Sequence, residues 1–351
     1  MLFTTTQQQE EIRKTVREFA ETEIKPIAFM LDKENEFPSE AIAKFGKMGL
    51  MGIPYPKEYG GAGLDVISYA IAVEELSRVD GGTGVILSAH VSLGSYPIFA
   101  FGTEEQKQKY LVPLASGEKI GAFGLTEVNA GSDAAGTETT AVLEGDYYIL
   151  NGGKIFITNA DKADTYVVFA STNPEMGTRG ISAFIVEKGW DGFTFGDHYD
   201  KMGIRSSSTA ELIFNDVKVP KENLLGKLGQ GFKIAMATLD GVVSVSPHRH
   251  WESHRVRNGM RWNTQGACAV RQTDCTAAGH QLQACRYGNQ AALCKNADLL
   301  FCRLKENHEP YGMESAMAKQ YASDVALEIC NDALQIFGGS GYLKGMEVER
   351  A

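Results

Sequence analysis

The sequence has no long apolar run and little cysteine, and each scarcity excludes a class of protein. No stretch of about eighteen consecutive apolar residues occurs, so no membrane-spanning helix is predicted. Six cysteines in 351 residues do not indicate a disulfide scaffold. Residues 1–7 lack the basic start and apolar stretch of a signal peptide, so the expected compartment is the cytoplasm. A net charge of −10 argues against bulk electrostatic binding to nucleic acid or to an anionic membrane.

Common phosphate-binding and hydrolytic motifs are also absent. The chain has no P-loop and no H-E-x-x-H zinc motif. Gly338-Gly339-Ser340-Gly341 follows a predicted helix rather than a strand, which excludes a Rossmann dinucleotide site there. Ser206-Ser207-Ser208 has no evident histidine partner, so no hydrolase triad is predicted.

Hydrophobic periodicity divides the chain into helices, then strands, then helices. Helical spacing dominates residues 7–120 and returns after Gly229, most clearly over 316–337. Short strands are predicted at 165–170, 181–186, 193–196 and 210–219, and a β-hairpin is predicted at the Asn151-Gly152 dipeptide. The predicted fold class is α+β and multidomain. Its parts are an N-terminal helical domain (1–120), a middle β-barrel or sandwich (121–226) and a C-terminal helical bundle (227–351).

The segment 121–133 is the most informative stretch of the chain. It joins the helical sequence to the β sequence and mixes strand-forming residues with glycine and hydroxyl residues. Such a segment exposes backbone amides and short donors, which suit the flat polar edge of a ligand. On composition alone, a plain glycine-rich loop is the favoured interpretation.

Six segments in order make the chain resemble the acyl-CoA dehydrogenase family, in particular short-chain or butyryl-CoA dehydrogenases. The resemblance covers 1–241 and about 296–351. The segments are 123–133, Lys154-Ile155-Phe156-Ile157-Thr158-Asn159, Lys201-Met202-Gly203-Ile204-Arg205-Ser206-Ser207, Gly229-Gln230-Gly231-Phe232, Thr238-Leu239-Asp240-Gly241 and Gln335-Ile336-Phe337-Gly338-Gly339-Ser340-Gly341-Tyr342.

The resemblance implies an oxidoreductase of fatty acid metabolism. Its expected reaction is the FAD-dependent α,β-dehydrogenation of a short-chain acyl-CoA thioester to the trans-2-enoyl-CoA. It also implies an electron-transfer flavoprotein as redox partner and a homotetramer as the usual assembly. Neither a nucleic acid nor a membrane is expected as a partner.

The resemblance also assigns roles to residues of this chain. Phe123, Leu125 and Thr126 are expected to face the flavin ring, and Ser132 to lie where the FAD phosphate and the acyl-CoA come close. Three further groups complete the expected site: Phe156, Ile157 and Thr158 on the other side of the flavin, Gln335, Gly338 and Gly339 toward the FAD of a neighbouring subunit, and Asp240 toward the CoA. Taken singly, Phe156 and Ile157 favour a strand core, Asp240 a solvated helix position and Gln335 an exposed polar position. The ordered set of segments favours the site.

Neither a catalytic residue nor a metal ligand is assigned. The family's usual glutamate base falls beyond Ala351, and its alternative position near Leu239-Asp240 holds Gly241 and Val242. Impaired activity is therefore expected. The alternatives are a catalytically inactive remnant that binds flavin or CoA, an interaction protein, and an oxidase on the same fold.

The resemblance stops at Val242. One permitted back-translation of 242–254, read one base earlier, gives Gly-Arg-Ile-Gly-Val-Ala-Ala-Gln-Ala-Leu-Gly-Ile-Ala, the helix that the family implies. We interpret this agreement as a one-base frame slip near Gly241, compensated between about Cys285 and Asp298. A zinc site at His248, His250 and His254 is the rival interpretation, but its spacing matches no common zinc pattern. Residues 242–290 are accordingly expected to be disordered or poorly packed.

Overall fold

The computed structural model describes residues 4–241 and 278–350, and its N-terminal third is helical as expected. Three helices continue into π-helical turns at Ala20–Ile24, Ala89–Ser95 and Lys107–Leu111. The helices are Gln7–Phe19 (α1), Ala28–Glu34 (α2), Ser39–Lys47 (α3), Val66–Ser77 (α4), Gly81–Ser88 (α5), Tyr96–Phe101 (α6), Glu104–Gln106 (α7) and Val112–Ser116 (α8).

Local signals in the sequence set two of these helix starts. Thr6 caps α1, because its hydroxyl accepts from the Gln9 backbone N–H while the Gln9 side chain accepts from the Thr6 N–H. Thr103 and Gln106 form the same reciprocal capping box at α7. Each box satisfies two backbone donors that the first turn of a helix leaves without partners.

The middle of the chain forms one eight-stranded sheet. Its strand order is β6-β7-β3-β2-β4-β5-β8, and β1 pairs in parallel with β4. The predicted strands are confirmed with bounds that differ by one or two residues. The strands are Gly121–Gly124 (β1), Thr140–Glu144 (β2), Tyr147–Thr158 (β3), Thr165–Ser171 (β4), Ile181–Glu187 (β5), Phe193–Phe195 (β6), Thr209–Pro220 (β7) and Leu224–Leu225 (β8).

The hairpin predicted at Asn151-Gly152 is wrong, because β3 runs straight through this dipeptide. Gly152 has a φ of 134° where the pairing of β3 with β7 shifts register, which makes it an irregularity inside a strand. The Asn151 side chain accepts from the Asp216 N–H at 2.8 Å and donates to the Asp216 carboxylate at 2.9 Å. A Cβ at position 152 would lie 2.8 Å from the Thr139 Cα, so the glycine avoids a clash inside the strand. The turn itself lies at Gly145 (φ 59°).

The C-terminal part is helical again, with α9 at Gly231–Asp240, α10 at Ala278–Glu306, α11 at Gly312–Phe337 and α12 at Glu347–Arg350. Of the expectation that 242–290 is disordered or poorly packed, the disorder is wrong for 278–290, because these residues lie in α10, and the poor packing stays a prediction for 278–285. Tyr287 of this helix is 1% exposed and its hydroxyl donates to Asp332. The rest of that expectation, and the rival zinc site at His248, His250 and His254, lie outside the described residues.

Two compact units emerge from the distribution of contacts along the chain. Of the described residues, one unit comprises 4–29, 66–85 and 278–350, and the other comprises 30–65 and 86–241. The first contains the cluster of Tyr287 and Ile329 with their apolar neighbours, and a second cluster around Ile71 and Phe301. The second unit contains the whole sheet and its core. Domain boundaries at 120 and 226 stay a prediction.

Among the described residues, one helical stretch is long and apolar enough to cross a membrane by length and composition alone. It spans Gly81–Phe101, 21 residues, with a mean hydropathy of 1.4. The sequence search for an unbroken apolar run does not detect it, because polar residues such as Ser88 and His90 interrupt the run. Of its most apolar 18 residues, 67% are buried inside the structure, as is typical of a core helix of a folded domain.

Candidate active site

A cavity of about 480 Å³ opens in the unit that contains the sheet. Its volume lies within the range of sites that hold small molecules, roughly 300–1,000 Å³. Seven of the residues assigned from the resemblance line it together: Phe123, Leu125, Thr126, Ser132, Phe156, Ile157 and Thr158. Two chain segments about thirty residues apart in sequence therefore converge on one space.

The first wall comes from β1 and the residues that follow it. Phe123 packs edge-on against Phe169 of the neighbouring strand, with ring centroids 4.9 Å apart. His90 fixes the start of β1, because its Nδ1 accepts from the Gly121 N–H at 2.9 Å while its Nε2 lies 3.1 Å from the Leu114 carbonyl oxygen. These two contacts require the neutral imidazole with its proton on Nε2. Burial favours that form and lowers the pKa of His90 to about 4.

The second wall comes from a bulge at the end of β3. The register of β3 against β7 shifts between Lys154 and Ile157, and Phe156 in this bulge has a φ of 58°. The bulge turns the Phe156 side chain out of the sheet, where it is 60% exposed and lines the cavity. A non-glycine residue in this left-handed region is a mark of functional sites, where surrounding structure enforces an unfavourable backbone.

Tyr199 supports the Phe156 ring from outside the cavity. The two ring centroids lie 4.9 Å apart, and the Tyr199 hydroxyl donates to Glu211 at 2.8 Å. Desolvation and this hydrogen bond raise the pKa of Tyr199 to about 12. The hydroxyl therefore stays protonated and keeps its bond to the Glu211 carboxylate throughout the neutral range.

Hydrogen bonds join the two walls directly. The Ile155 N–H donates to the Thr126 carbonyl at 2.9 Å. The Lys154 ammonium donates to the Leu125 carbonyl at 3.2 Å and also to the Glu127 carboxylate. Burial lowers the pKa of Lys154 to about 8. Burial opposes ionisation of Glu127 as well, but the Lys154 charge and the hydrogen bonds it accepts outweigh that cost and lower its pKa.

Helical residues complete the cavity, and the sequence alone did not identify them as part of a site. They are Ala89, Leu93, Phe232, Met236 and Leu239. Gly94, one residue beyond Leu93, allows the close approach of its helix to β1, since a Cβ at this position would lie 2.6 Å from the Gly121 carbonyl carbon. The apolar spacing of these helices looks like ordinary core, so only the three-dimensional arrangement separates lining from packing residues.

The loop at 131–135 forms the polar side of the cavity. Asp133 accepts from the Ala135 N–H at 3.2 Å and so begins the short turn Ala134–Gly136. Ser132 beside it is exposed and lines the cavity together with Gly131, Ala134 and Ala135 of the same loop. Among the described residues that line the cavity, Asp133 alone carries a charge.

Four of the assigned residues do not line this cavity. Asp240 ends α9 as an exposed residue directly after Leu239, which does line it. Gln335, Gly338 and Gly339 are exposed and belong to the other compact unit, at the end of α11 and the start of the turn Gly338–Ser340. No Cβ at Gly338 or Gly339 would meet an atom within 4 Å.

Comparison with known families decides what kind of cavity this is. The N-terminal domain of acyl-CoA dehydrogenase matches residues 6–118, the middle domain 122–217 and the C-terminal domain 267–351. The chain belongs to the acyl-CoA dehydrogenase family. The predicted fold is thereby confirmed: an N-terminal helical part, a middle β part and a C-terminal helical part.

Individual proteins agree over nearly the whole chain. A short-chain specific acyl-CoA dehydrogenase of Clostridium acetobutylicum is 50% identical over 364 aligned positions, covering 100% of this chain and 93% of that protein. Butyryl-CoA dehydrogenase from Megasphaera elsdenii superposes with a TM-score of 0.97 at 42% identity, covering 99% of this chain and 92% of that one. A chain solved in work on the electron transferring flavoprotein of Acidaminococcus fermentans has a TM-score of 0.96 at 49% identity, with the same coverage.

FAD is the cofactor of this family, and an acyl-CoA dehydrogenase from Bacillus anthracis has been solved in complex with it. The lining residues of the present chain fit such a group. Phe123 and Phe156 offer aromatic surface to a flat ring, while the hydroxyls of Thr126, Ser132 and Thr158 can bond its polar edge. The chemistry of the cavity therefore agrees with the predicted cofactor.

Proposed function

We propose that this chain catalyses the FAD-dependent α,β-dehydrogenation of a short-chain acyl-CoA to the trans-2-enoyl-CoA. The observation that carries the proposal is the convergence of the segments 123–132 and 156–158 on one cavity. The short-chain preference rests on the Clostridium acetobutylicum and Megasphaera elsdenii relatives, which are named for short-chain and butyryl substrates.

In this proposal the chain binds FAD and the acyl-CoA thioester and orients them relative to each other. FAD, when bound, supplies the acceptor for the hydride that leaves the β-carbon of the thioester. Thr126 and Thr158 donate hydrogen bonds from opposite walls, and Phe156 covers one side of the ring. Met236 and Leu239 add apolar lining to the cavity, which would favour the acyl chain of the substrate over water. We assign no base for the α-proton.

Three further roles follow from family membership and stay proposals. Ser132 and Asp240 would contact the acyl-CoA, with Ser132 also close to the FAD phosphate. Gln335, Gly338 and Gly339 would contact the FAD of a second subunit. An electron-transfer flavoprotein in the cytoplasm would reoxidise the enzyme, in line with the setting in which the Acidaminococcus fermentans chain was solved.

The exposed side of α11 supports the proposed homotetramer. Met313, Met317 and Tyr321 recur every fourth residue and are 69%, 60% and 36% exposed. An apolar stripe of this kind is typical of a face that another subunit covers. Sedimentation velocity of the purified chain measures the assembly, and a single monomeric species at micromolar concentration would contradict this part of the proposal.

Anaerobic titration of the purified chain with butyryl-CoA tests the function. We expect flavin to copurify with the chain and its visible absorption to bleach on titration, because the substrate reduces the bound flavin. Bound flavin that does not bleach would favour the second candidate, a protein that binds flavin or CoA without turnover. That candidate is motivated by the sequence after Gly241, which departs from the family pattern. A chain that purifies without flavin and takes up none would contradict both.

A further inference from the structure

The cavity walls are joined by an ion pair that the proposed chemistry does not use. Lys154 is 0% exposed and Glu127 is 5% exposed, so both charges are out of water. Lys154 belongs to β3, two residues before Phe156, and Glu127 follows Thr126 of the opposite wall. We propose that Lys154 and Glu127 are positioning residues that fix the spacing between the two walls for the cofactor. This inference rests on the proposed function.

Directional contacts of the Lys154 ammonium support the proposal. Besides the Glu127 carboxylate, it bonds the Leu125 carbonyl oxygen at 3.2 Å, so it holds the backbone of a lining residue. The adjacent Ile155 N–H bonds the Thr126 carbonyl oxygen at 2.9 Å. Consecutive residues of β3 thus hold consecutive residues of the first wall, and a shift of either segment breaks both contacts.

Glu127 extends the connection to a third segment. Its carboxylate accepts from the Glu138 N–H at 2.7 Å and from the Thr139 N–H at 3.2 Å. Thr139 also donates from its hydroxyl to the Gly153 carbonyl at 3.2 Å, next to Lys154 in the chain. The ion pair therefore lies at the centre of a closed set of hydrogen bonds behind the cavity. Because both side chains are buried, water does not replace a hydrogen bond that is lost there.

A purely structural role is the alternative to be tested. A buried ion pair replaced by neutral residues of similar volume often leaves stability unchanged or improved, whereas removal of one partner leaves an uncompensated charge. Stability and positioning can therefore be separated. The single variant Lys154→Met tests both together, and the double variant Lys154→Met/Glu127→Gln removes the charge imbalance while the bond to the Leu125 carbonyl stays absent.

The experiment compares wild type, the single variant, the double variant and Lys221→Met. Lys221 pairs with Asp146 on the surface of the same unit, at 46% and 91% exposure, and serves as the matched control. Each protein is freed of flavin, and its dissociation constant for FAD is measured by quenching of FAD fluorescence. Thermal unfolding is followed in parallel, and amide hydrogen exchange is followed on a peptide that contains Ile155.

We expect the double variant to regain the unfolding temperature of wild type but to bind FAD at least about tenfold more weakly, the loss expected for one hydrogen bond to a charged group. Its Ile155 amide should exchange faster than in wild type and in Lys221→Met. Wild-type affinity and wild-type exchange in the double variant would overturn the positioning role. If wild type itself binds no FAD, the proposed function fails, and the Ile155 exchange rates still decide the positioning role.

Discussion

Phe156 shows at the scale of one residue how the cavity constrains the backbone. Its φ of 58° is unfavourable for a residue with a Cβ. Because its side chain is 60% exposed, packing of the ring compensates for little of this backbone strain. The ring contacts Tyr199 and lines the cavity. The unfavourable conformation is thus kept where a ligand, rather than the core, benefits from the side chain.

Two substitutions separate the backbone from the ring. Phe156→Ala removes the ring and keeps the unfavourable conformation, whereas Phe156→Gly removes both. We expect the glycine variant to be the more stable by about 1 kcal/mol, because glycine adopts positive φ without the steric cost of a Cβ. Urea unfolding of the flavin-free proteins measures the difference. Equal weakening of FAD binding in both variants would assign the binding effect to the ring, and an alanine variant more stable than the glycine variant would refute the argument.

The buried His90 predicts that folding stability depends on pH. Its pKa is about 4 in the folded protein and near 6.5 when unfolded, so between these values the unfolded chain binds more protons. Folding stability is therefore fully present above pH 6.5 and decreases as the pH falls toward 4. The loss amounts to about 3 kcal/mol, at 1.36 kcal/mol per pKa unit for a fully buried group.

The variant His90→Gln isolates this term, because an amide can both donate and accept but does not titrate in this range. Unfolding temperatures measured from pH 4 to 7 should decrease less steeply toward acid in the variant than in wild type. Carboxylates contribute the same acid sensitivity to both proteins and cancel in the comparison. Identical slopes would mean that His90 is not neutral in the folded protein.

At the scale of elements, β3 marks the boundary of what local sequence predicts. Most of the strands and the helix Gly312–Phe337 follow from the sequence, because hydrophobic periodicity acts within a few positions. An Asn-Gly pair between strand-forming residues favours a hairpin locally, but β3 continues because β7 pairs with it on both sides of Gly152. The lining residues Leu93, Phe232 and Met236 were missed for a related reason, since a cavity face and a core face have the same helical pattern.

Gly152 provides the test at this scale. A Cβ at this position would lie 2.8 Å from the Thr139 Cα, and its φ of 134° is unfavourable for any other residue. We expect Gly152→Ala to lower the free energy of unfolding by about 3 kcal/mol, combining strain and overpacking. Gly145→Ala is the control, because φ is also positive there but no atom lies within 4 Å. Its expected cost is about 1 kcal/mol, and similar costs at both positions would show that Thr139 does not crowd a side chain at position 152.

At the scale of the whole molecule, one compact unit draws on distant parts of the chain, and a buried charge network joins two of its helices. Glu75 of α4 is 0% exposed and accepts from Arg13 at 2.9 Å and from Arg17 at 2.7 Å, both on α1. The Arg78 guanidinium lies 3.4 Å from the same carboxylate, and Arg13 also bonds Glu74 at 2.8 Å. The Glu75 carboxylate thus contacts three guanidinium groups, two of which also pair with Glu74 or Glu21, so the charge of Glu75 matters more than its volume.

Neutralising that carboxylate should weaken this unit. Glu75→Gln keeps the shape but leaves Arg13 with Glu74 and Arg78 with Glu21 as their remaining carboxylate partners in this network, at a cost of about 2 kcal/mol. Glu18→Gln, on the exposed face of α1, is the matched control and should change stability by no more than about 0.5 kcal/mol. Amide exchange locates the loss of stability, with faster exchange expected in 7–19 and 66–77 than in wild type.

Because surface ion pairs contribute little and are screened by salt, a network of this burial should also keep its effect on stability in 1 M salt. A loss that disappears in high salt would show that the Glu75 charges are solvated and would remove the network as a source of stability.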